Sequence, residues 1–263
     1  MRSRVSAVAL TGALALTALT VPVAQADVLA AKPGAAQLPT ISDVVVNGGK
    51  AIVLGTTEKK TVTVTFKAKH PEGIYMALPL LWHGSNFEEP DGLILEDNLE
   101  ASCTSGTTST CTGKFIIDPR ADLYYNKLAG NAWKVSATVI ANDGESLEKT
   151  NAKTFSVQRA SKLTVNAAPE PVAQNATITV TGALTRANWE TYKYSGYADQ
   201  SVNLQFRKAT SNTYTTVKTI KTDSKGNLKT TVKASSDGFY RYAFAGTATT
   251  PAVNAAGDQI DVR

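Results

Sequence analysis

The stretch D-G-F-Y-R-Y-A-F-A-G, Asp237–Gly246, is a turn followed by a strand with strict alternation. Tyr240, Tyr242 and Phe244 fall on one face, and Phe239, Arg241, Ala243 and Ala245 fall on the other. Three aromatics on one face need a second layer to cover them, so the stretch predicts the penultimate strand of a β-sandwich. The segments before it supply that cover. Ser201–Arg207 turns Val202, Leu204 and Phe206 inward, Ala176–Leu184 turns Ile178, Val180 and Leu184 inward, and Leu228, Thr230 and Val232 line a further strand. Lys162–Asn166 and Thr213–Thr222 read as the first and fourth strands, and Gln259–Val262 closes the set with Ile260 and Val262 inward. Tyr240 reads equally well as the tyrosine-corner residue of an Ig-like fold or as a plain core tyrosine.

The same period recurs upstream. Val62, Val64, Phe66 and Ala68 alternate with Thr61, Thr63, Thr65 and Lys67, and Trp133, Val135, Ala137 and Val139 share one face. Pro79 interrupts the apolar run Ile74–Trp82 and predicts a bulge or an edge there. Asp118-Pro119, with Gly130 beyond, has the form of a helix start and stop and predicts a short helix over Pro119–Ala129. The expected class is all-β: two Ig-like antiparallel β-sandwich domains in tandem, residues 40–160 and 161–263, joined by the very short Arg159-Ala160-Ser161.

The N-terminus sets the compartment. Arg2 and Arg4 precede the apolar run Val5–Val21, and Ala24-Gln25-Ala26 is a small-residue cleavage site, so residues 1–26 read as a signal peptide. Residues 27–39 read as a flexible arm, and no second apolar span is long enough for a transmembrane anchor in the mature chain. Secretion places Cys103 and Cys111 in an oxidising environment, where the polar loop between them predicts a disulfide. The formal net charge is +5; the leader takes two arginines with it, and the remaining lysines sit at alternate strand positions. That pattern is a solvated sheet face, not a nucleic-acid footprint.

Candidates for chemistry are few. Only His70 and His83 are available as neutral-pH bases, and both the turn around His70 and the pair His83 and Ser85 lack a catalytic frame. A hydrolase is therefore the weakest reading, and no cofactor is expected. Glu88, Glu89, Asp91, Glu96, Asp97 and Glu100 crowd an irregular stretch, which reads either as a solvated loop or as oxygen ligands for Ca²⁺. Trp189, Tyr192, Tyr194 and Tyr197 share a long loop. They read either as an exposed platform for a sugar or a protein, or, for Trp189, as a side chain folded back to cap the core. Tyr124 and Tyr125 offer a similar surface in the first domain.

The runs Ser161-Lys162-Leu163-Thr164-Val165-Asn166-Ala167, Pro169-Glu170-Pro171-Val172, Leu184-Thr185-Arg186-Ala187-Asn188-Trp189 and Leu204-Gln205-Phe206-Arg207 resemble secreted actinobacterial proteins with tandem Ig-like domains. So do Val44-Val45-Val46-Asn47-Gly48-Gly49-Lys50 and Leu81-Trp82-His83-Gly84, so the resemblance spans nearly the whole mature chain. It implies the fold and secretion, with a calcium-binding assignment in some members, and it carries over no functional residue. The expectation is a secreted, non-enzymatic binding module for an extracellular or envelope protein or polysaccharide. The alternatives are a calcium-dependent module using residues 88–100 and, behind it, a hydrolase.

Overall fold

Alternation along each strand decides which face is buried, and the resulting faces pair into two sandwiches. The computed structural model describes residues 37–263; the expected signal peptide and most of the expected N-terminal arm lie outside the described residues. In the first half the strands are β1 (Thr40–Val46), β2 (Ile52–Leu54), β3 (Lys60–Lys69), β4 (Ile74–His83), β5 (Gly92–Leu95), β6 (Ser102–Cys103), β7 (Thr108–Ile117), β8 (Gly130–Ala141) and β9 (Ser146–Arg159). They form one sheet in the order β1-β3-β7-β6 and a second in the order β2-β9-β8-β4-β5. Only β2 on β9 is parallel; every other pair is antiparallel. In Ig lettering this is A-B-E-D facing a G-F-C sheet with one added strand on each edge, β2 beside β9 and β5 beside β4.

The second half contains β10 (Ser161–Leu163), β11 (Asn166–Ala168), β12 (Thr177–Asn188), β13 (Lys193–Gly196), β14 (Ser201–Lys208), β15 (Thr215–Lys221), β16 (Asn227–Lys233), β17 (Gly238–Phe244), β18 (Val253–Asn254) and β19 (Asp258–Ile260). Here β11, β12 and β16 make one layer, while β15, β14 and β17 make the other, with β18 and β19 on the far side of β17. Tyr240, Tyr242 and Phe244 of β17 are all buried, as their alternation requires. The Tyr242 hydroxyl donates to Val180 O at 2.9 Å, tying the two layers together, while Tyr240 packs on the Phe206 ring with centroids 4.8 Å apart. Burial pushes the Tyr242 phenol up to about 12. Gly182 makes room for that ring, since an added Cβ would meet Tyr242 Cδ2 at 2.8 Å and Thr164 O at 2.3 Å.

The first core is filled by Phe66, Phe115, Trp133, Leu81 and the inward valines of β3 and β8. Burying side chains of this size contributes roughly 1.5–3 kcal/mol each. Cys103 and Cys111 are bonded across β6 and β7, closing the polar hairpin as expected.

Two local expectations are corrected and a third is resolved. The helix over Pro119–Ala129 does not form. Asp118 does accept from Arg120 N at 2.9 Å, as an N-cap would, but the regular structure that follows is only a 3-10 turn at Asn126–Leu128. Leu123 and Leu128 both reach the core, a spacing of five that one face of a helix does not supply. Of the bulge or edge expected at Pro79, the structure shows the edge: β4 runs on through Pro79, which pairs with Ala137 of β8, and β5 pairs only from Leu80 onward, so that side of β4 is unpaired there. The register shift falls at Ile74/Met76 instead. Finally, the loop expected after Leu184 is a hairpin: β12 runs on to Asn188, and β13 returns beside it with Asn188 opposite Lys193.

Candidate functional site

That hairpin changes what the aromatic residues do. The first half of β12 pairs with β11 and β16, and its second half pairs with β10 and β13. The 12-residue strand thus carries its tip, Trp189–Tyr192, beyond its own sandwich and onto the first one. Trp189 is fully buried, and with Ala187 it belongs to the core of the first sandwich. Its indole donates to Gly55 O at 2.9 Å. The exposed-platform expectation therefore fails for Trp189. The side chain does cap a core, but the core it caps is that of the other sandwich.

Asn126 locks the tip in place. Its Oδ1 accepts from Trp189 N at 3.0 Å, its Nδ2 donates to Asn188 Oδ1 at 2.9 Å, and its backbone N donates to Glu190 Oε1 at 2.9 Å. Nearby, Ala187 N donates to Ala160 O at 2.8 Å and Arg159 Nε donates to Ala187 O at 2.6 Å. Gln158 and the backbone of Arg159 reach the turn at Thr247–Thr249. Nothing in the sequence around Asn126 signals this role.

The tyrosines around the bolt stay outside. Tyr124, Tyr125 and Tyr192 are 61%, 54% and 41% exposed. The Arg120 guanidinium lies 5.8 Å from the Tyr192 ring centroid, and Lys127 Nζ lies 5.5 Å from that of Tyr125. Lys127 also reaches Asp91 at 3.2 Å, and its hydrogen bond and charge hold the Asp91 carboxyl below its ordinary value. Tyr192 has φ 55, the left-handed position that closes a hairpin loop and that a bulky side chain adopts at a cost. Tyr194 and Tyr197, the other two expected ligand aromatics, are half-buried. Tyr194 packs against the first core, and Tyr197 stands edge-on to Phe244 with centroids 5.8 Å apart.

The acidic stretch does not converge. Glu88, Glu89, Asp91 and Asp97 are exposed, whereas Glu96 is buried and accepts from Lys114 N at 2.8 Å and Asn98 N at 2.7 Å. Among the described residues no group of three or more acidic, His or Cys side chains is placed to hold a metal ion. The alternation of β5 was the available signal, since Glu96 follows Ile94 onto the buried face.

Neither histidine faces solvent. His70, in the polar turn before Pro71, is 2% exposed, with Nε2 2.5 Å from Gln37 O and 3.5 Å from Asp143. His83 is buried edge-on against Trp133, 3.5 Å from Asp91, and burial pushes its pKa down. Ser85 is exposed, and no hydrogen bond joins it to His83 among the described residues.

No protein-family model matches the chain, and no curated protein matches it in sequence. Solved structures similar to it include the D00-D0 domain of intimin, at 18% identity over 84% of this chain and 99% of that one, with a TM-score of 0.28. The Yersinia pseudotuberculosis adhesin InvE is 12% identical over 84% of this chain and 58% of its own, with a TM-score of 0.27. The ectodomain of mouse nectin-like molecule 4 is 13% identical over 84% of this chain and 65% of its own, with a TM-score of 0.25. The Ig-like assignment rests on the strand order of this chain itself. Among the described residues no helix is long and apolar enough to cross a membrane.

Proposed function

We propose that this chain is a secreted, non-enzymatic binding module for a protein or polysaccharide, and that the tyrosine surface at the junction is its contact face. The observation that carries the reading is the exposure of Tyr124, Tyr125 and Tyr192, from both sandwiches, around a junction that is otherwise tightly hydrogen bonded. Tyrosine offers a large, stiff, amphipathic contact area at low conformational cost, and here none of the three rings is needed for packing. Arg120, Lys127 and Asp91 supply a polar rim of both signs. Because the bolt at Trp189 fixes one sandwich on the other, the surface is organised before any partner arrives.

The test is binding of the immobilised mature chain to arrays of glycans and of extracellular proteins, repeated for the variant Y124S/Y125S/Y192S and with EDTA or millimolar Ca²⁺. The expected result is a ligand lost in the triple variant at unchanged melting temperature. Binding that survives the three substitutions contradicts the reading, and binding abolished by EDTA alone returns the calcium alternative to the front.

A further inference from the structure

β5 ends its sheet, bonded to β4 on one side and open on the other. An open edge presents unpaired N–H and C=O groups, and folded proteins blunt such edges with Lys, Pro or a bulge. β15, an open edge in the second sandwich, carries Lys218 and Lys221 and pairs with β14 through a register shift at Leu204/Gln205. β5 reads Gly-Leu-Ile-Leu and carries none of these devices. Ile94 turns into the core, while Leu93 and Leu95 are 47% and 54% exposed. The two leucines stand opposite Trp82 and Leu80, so all four share the outer face of the sheet. Trp82 is covered there by the Phe87 ring, with centroids 5.4 Å apart, and by the Lys134 ammonium 4.1 Å from its centroid; the leucines stay outside that cover. Both flanks of the strand are acidic. Glu88, Glu89 and Asp91 precede it and Asp97 and Glu100 follow it, all exposed, and residues 88–100 contain no Lys, Arg or His. Asp91 is held by Lys127 at 3.2 Å, and among the described residues Glu88, Glu89, Asp97 and Glu100 form no ion pair.

We infer that the open edge of β5 is a docking site for an extended segment of a partner protein, with apolar residues beside Leu93 and Leu95 and with Lys or Arg at both ends. A strand added to a sheet edge takes its affinity from backbone hydrogen bonds and its selectivity from alternate side chains. Residues of one parity in the added strand share the outer face with Leu93 and Leu95 and cover them. The unpaired carboxylates set the charge of the ends, because a flank of one sign attracts the opposite sign and rejects its own. The same charges argue against a second copy of this edge as the occupant. A two-fold pair of edges is antiparallel, and it sets the Glu88–Asp91 flank of one copy against the Asp97–Glu100 flank of the other. The site shares only Asp91 with the tyrosine surface and does not rest on it.

The test is an NMR titration of the mature chain with the peptide K-K-V-T-V-T-V-K-K, compared with E-E-V-T-V-T-V-E-E and with K-K-V-P-V-P-V-K-K. Saturable shifts at Gly92–Leu95 below about 1 mM of the first peptide are expected, with slowed amide exchange at the same residues. The acidic peptide binds at least about tenfold more weakly, and so does the proline peptide, which cannot donate to the ladder. Leu95→Lys places a charge on the edge at an exposed position and abolishes binding with the fold intact. The variant Glu88→Gln/Glu89→Gln/Asp97→Asn/Glu100→Gln keeps the edge and loses the preference for the basic peptide, while Y124S/Y125S/Y192S binds as wild type. Unmoved signals at Gly92–Leu95, equal binding of the acidic peptide, or binding that survives Leu95→Lys overturns the inference. Binding lost in the tyrosine variant moves the peptide to the other surface and also contradicts it. A mass of the chain alone that rises with concentration, and stops rising in Leu95→Lys, makes the occupant a second copy and overturns the assignment to a partner protein.

Discussion

The two sandwiches share a strand plan but not a way of closing their cores. The second closes itself: Tyr242 spans its layers and donates to Val180 O within the same half. The first takes its closing side chains, Trp189 and Ala187, from the second, through a hairpin tip held by Asn126. An Ig-like unit can therefore be complete in its strands and incomplete in its packing, and the missing packing turns two sandwiches into one body.

The sharpest way to break this comparison is Trp189→Ala. Removing a fully buried Trp costs about 3–5 kcal/mol, and here the loss falls on the first sandwich although the residue belongs to the second. Denaturant unfolding followed by residues on each half checks it: the first half is expected to melt early and the second to hold.

The complementary perturbation addresses the second sandwich from within. The Tyr242 phenol sits near 12 in the folded chain, above its ordinary 10.0, so the folded state keeps a proton that the unfolded state releases. Its stabilisation is complete below about pH 10 and is lost as pH rises through 12, on the order of 3 kcal/mol in all. Alkaline titration by phenolate absorbance is expected to show one late tyrosine, in step with loss of the second core. Tyr242→Phe removes that late step. A Tyr242 that ionises with the exposed tyrosines contradicts it.

A smaller effect sharpens the comparison from the first side. The Cys103–Cys111 bond closes a short loop at a sequence separation of 8. Its reduction should cost about 2.5 kcal/mol in the chain-entropy model. Melting with and without reductant reads this directly, and because the halves are coupled the whole transition shifts.

The strands were legible wherever polar and apolar residues alternated over a long enough run. Val62–Ala68 and Tyr240–Phe244 show their buried faces in the sequence, and the structure buries the same side chains. The bolt was not legible. Trp189-Glu190-Thr191-Tyr192 turns a hairpin without the Gly, Asn or Asp that usually marks one, so the sequence alone ends β12 at Leu184. The ring at 189 carries no sign of which core it fills, because contact between halves leaves no local period. Asp118-Pro119 did mark a turn, but no apolar stripe at helical spacing followed to extend it. Glu96 reads in the sequence as one of a run of loop acids, solvated or Ca²⁺-ligating, although the alternation of β5 turns it inward, onto amides that a run of carboxylates does not announce.

The central claim is that Trp189 makes one cooperative body of the two sandwiches, and calorimetry of the mature chain tests it most directly. A single transition whose calorimetric and van't Hoff enthalpies agree is predicted, splitting into two in the Trp189→Ala variant. Two transitions already present in the wild-type chain, unchanged by the substitution, would contradict the account.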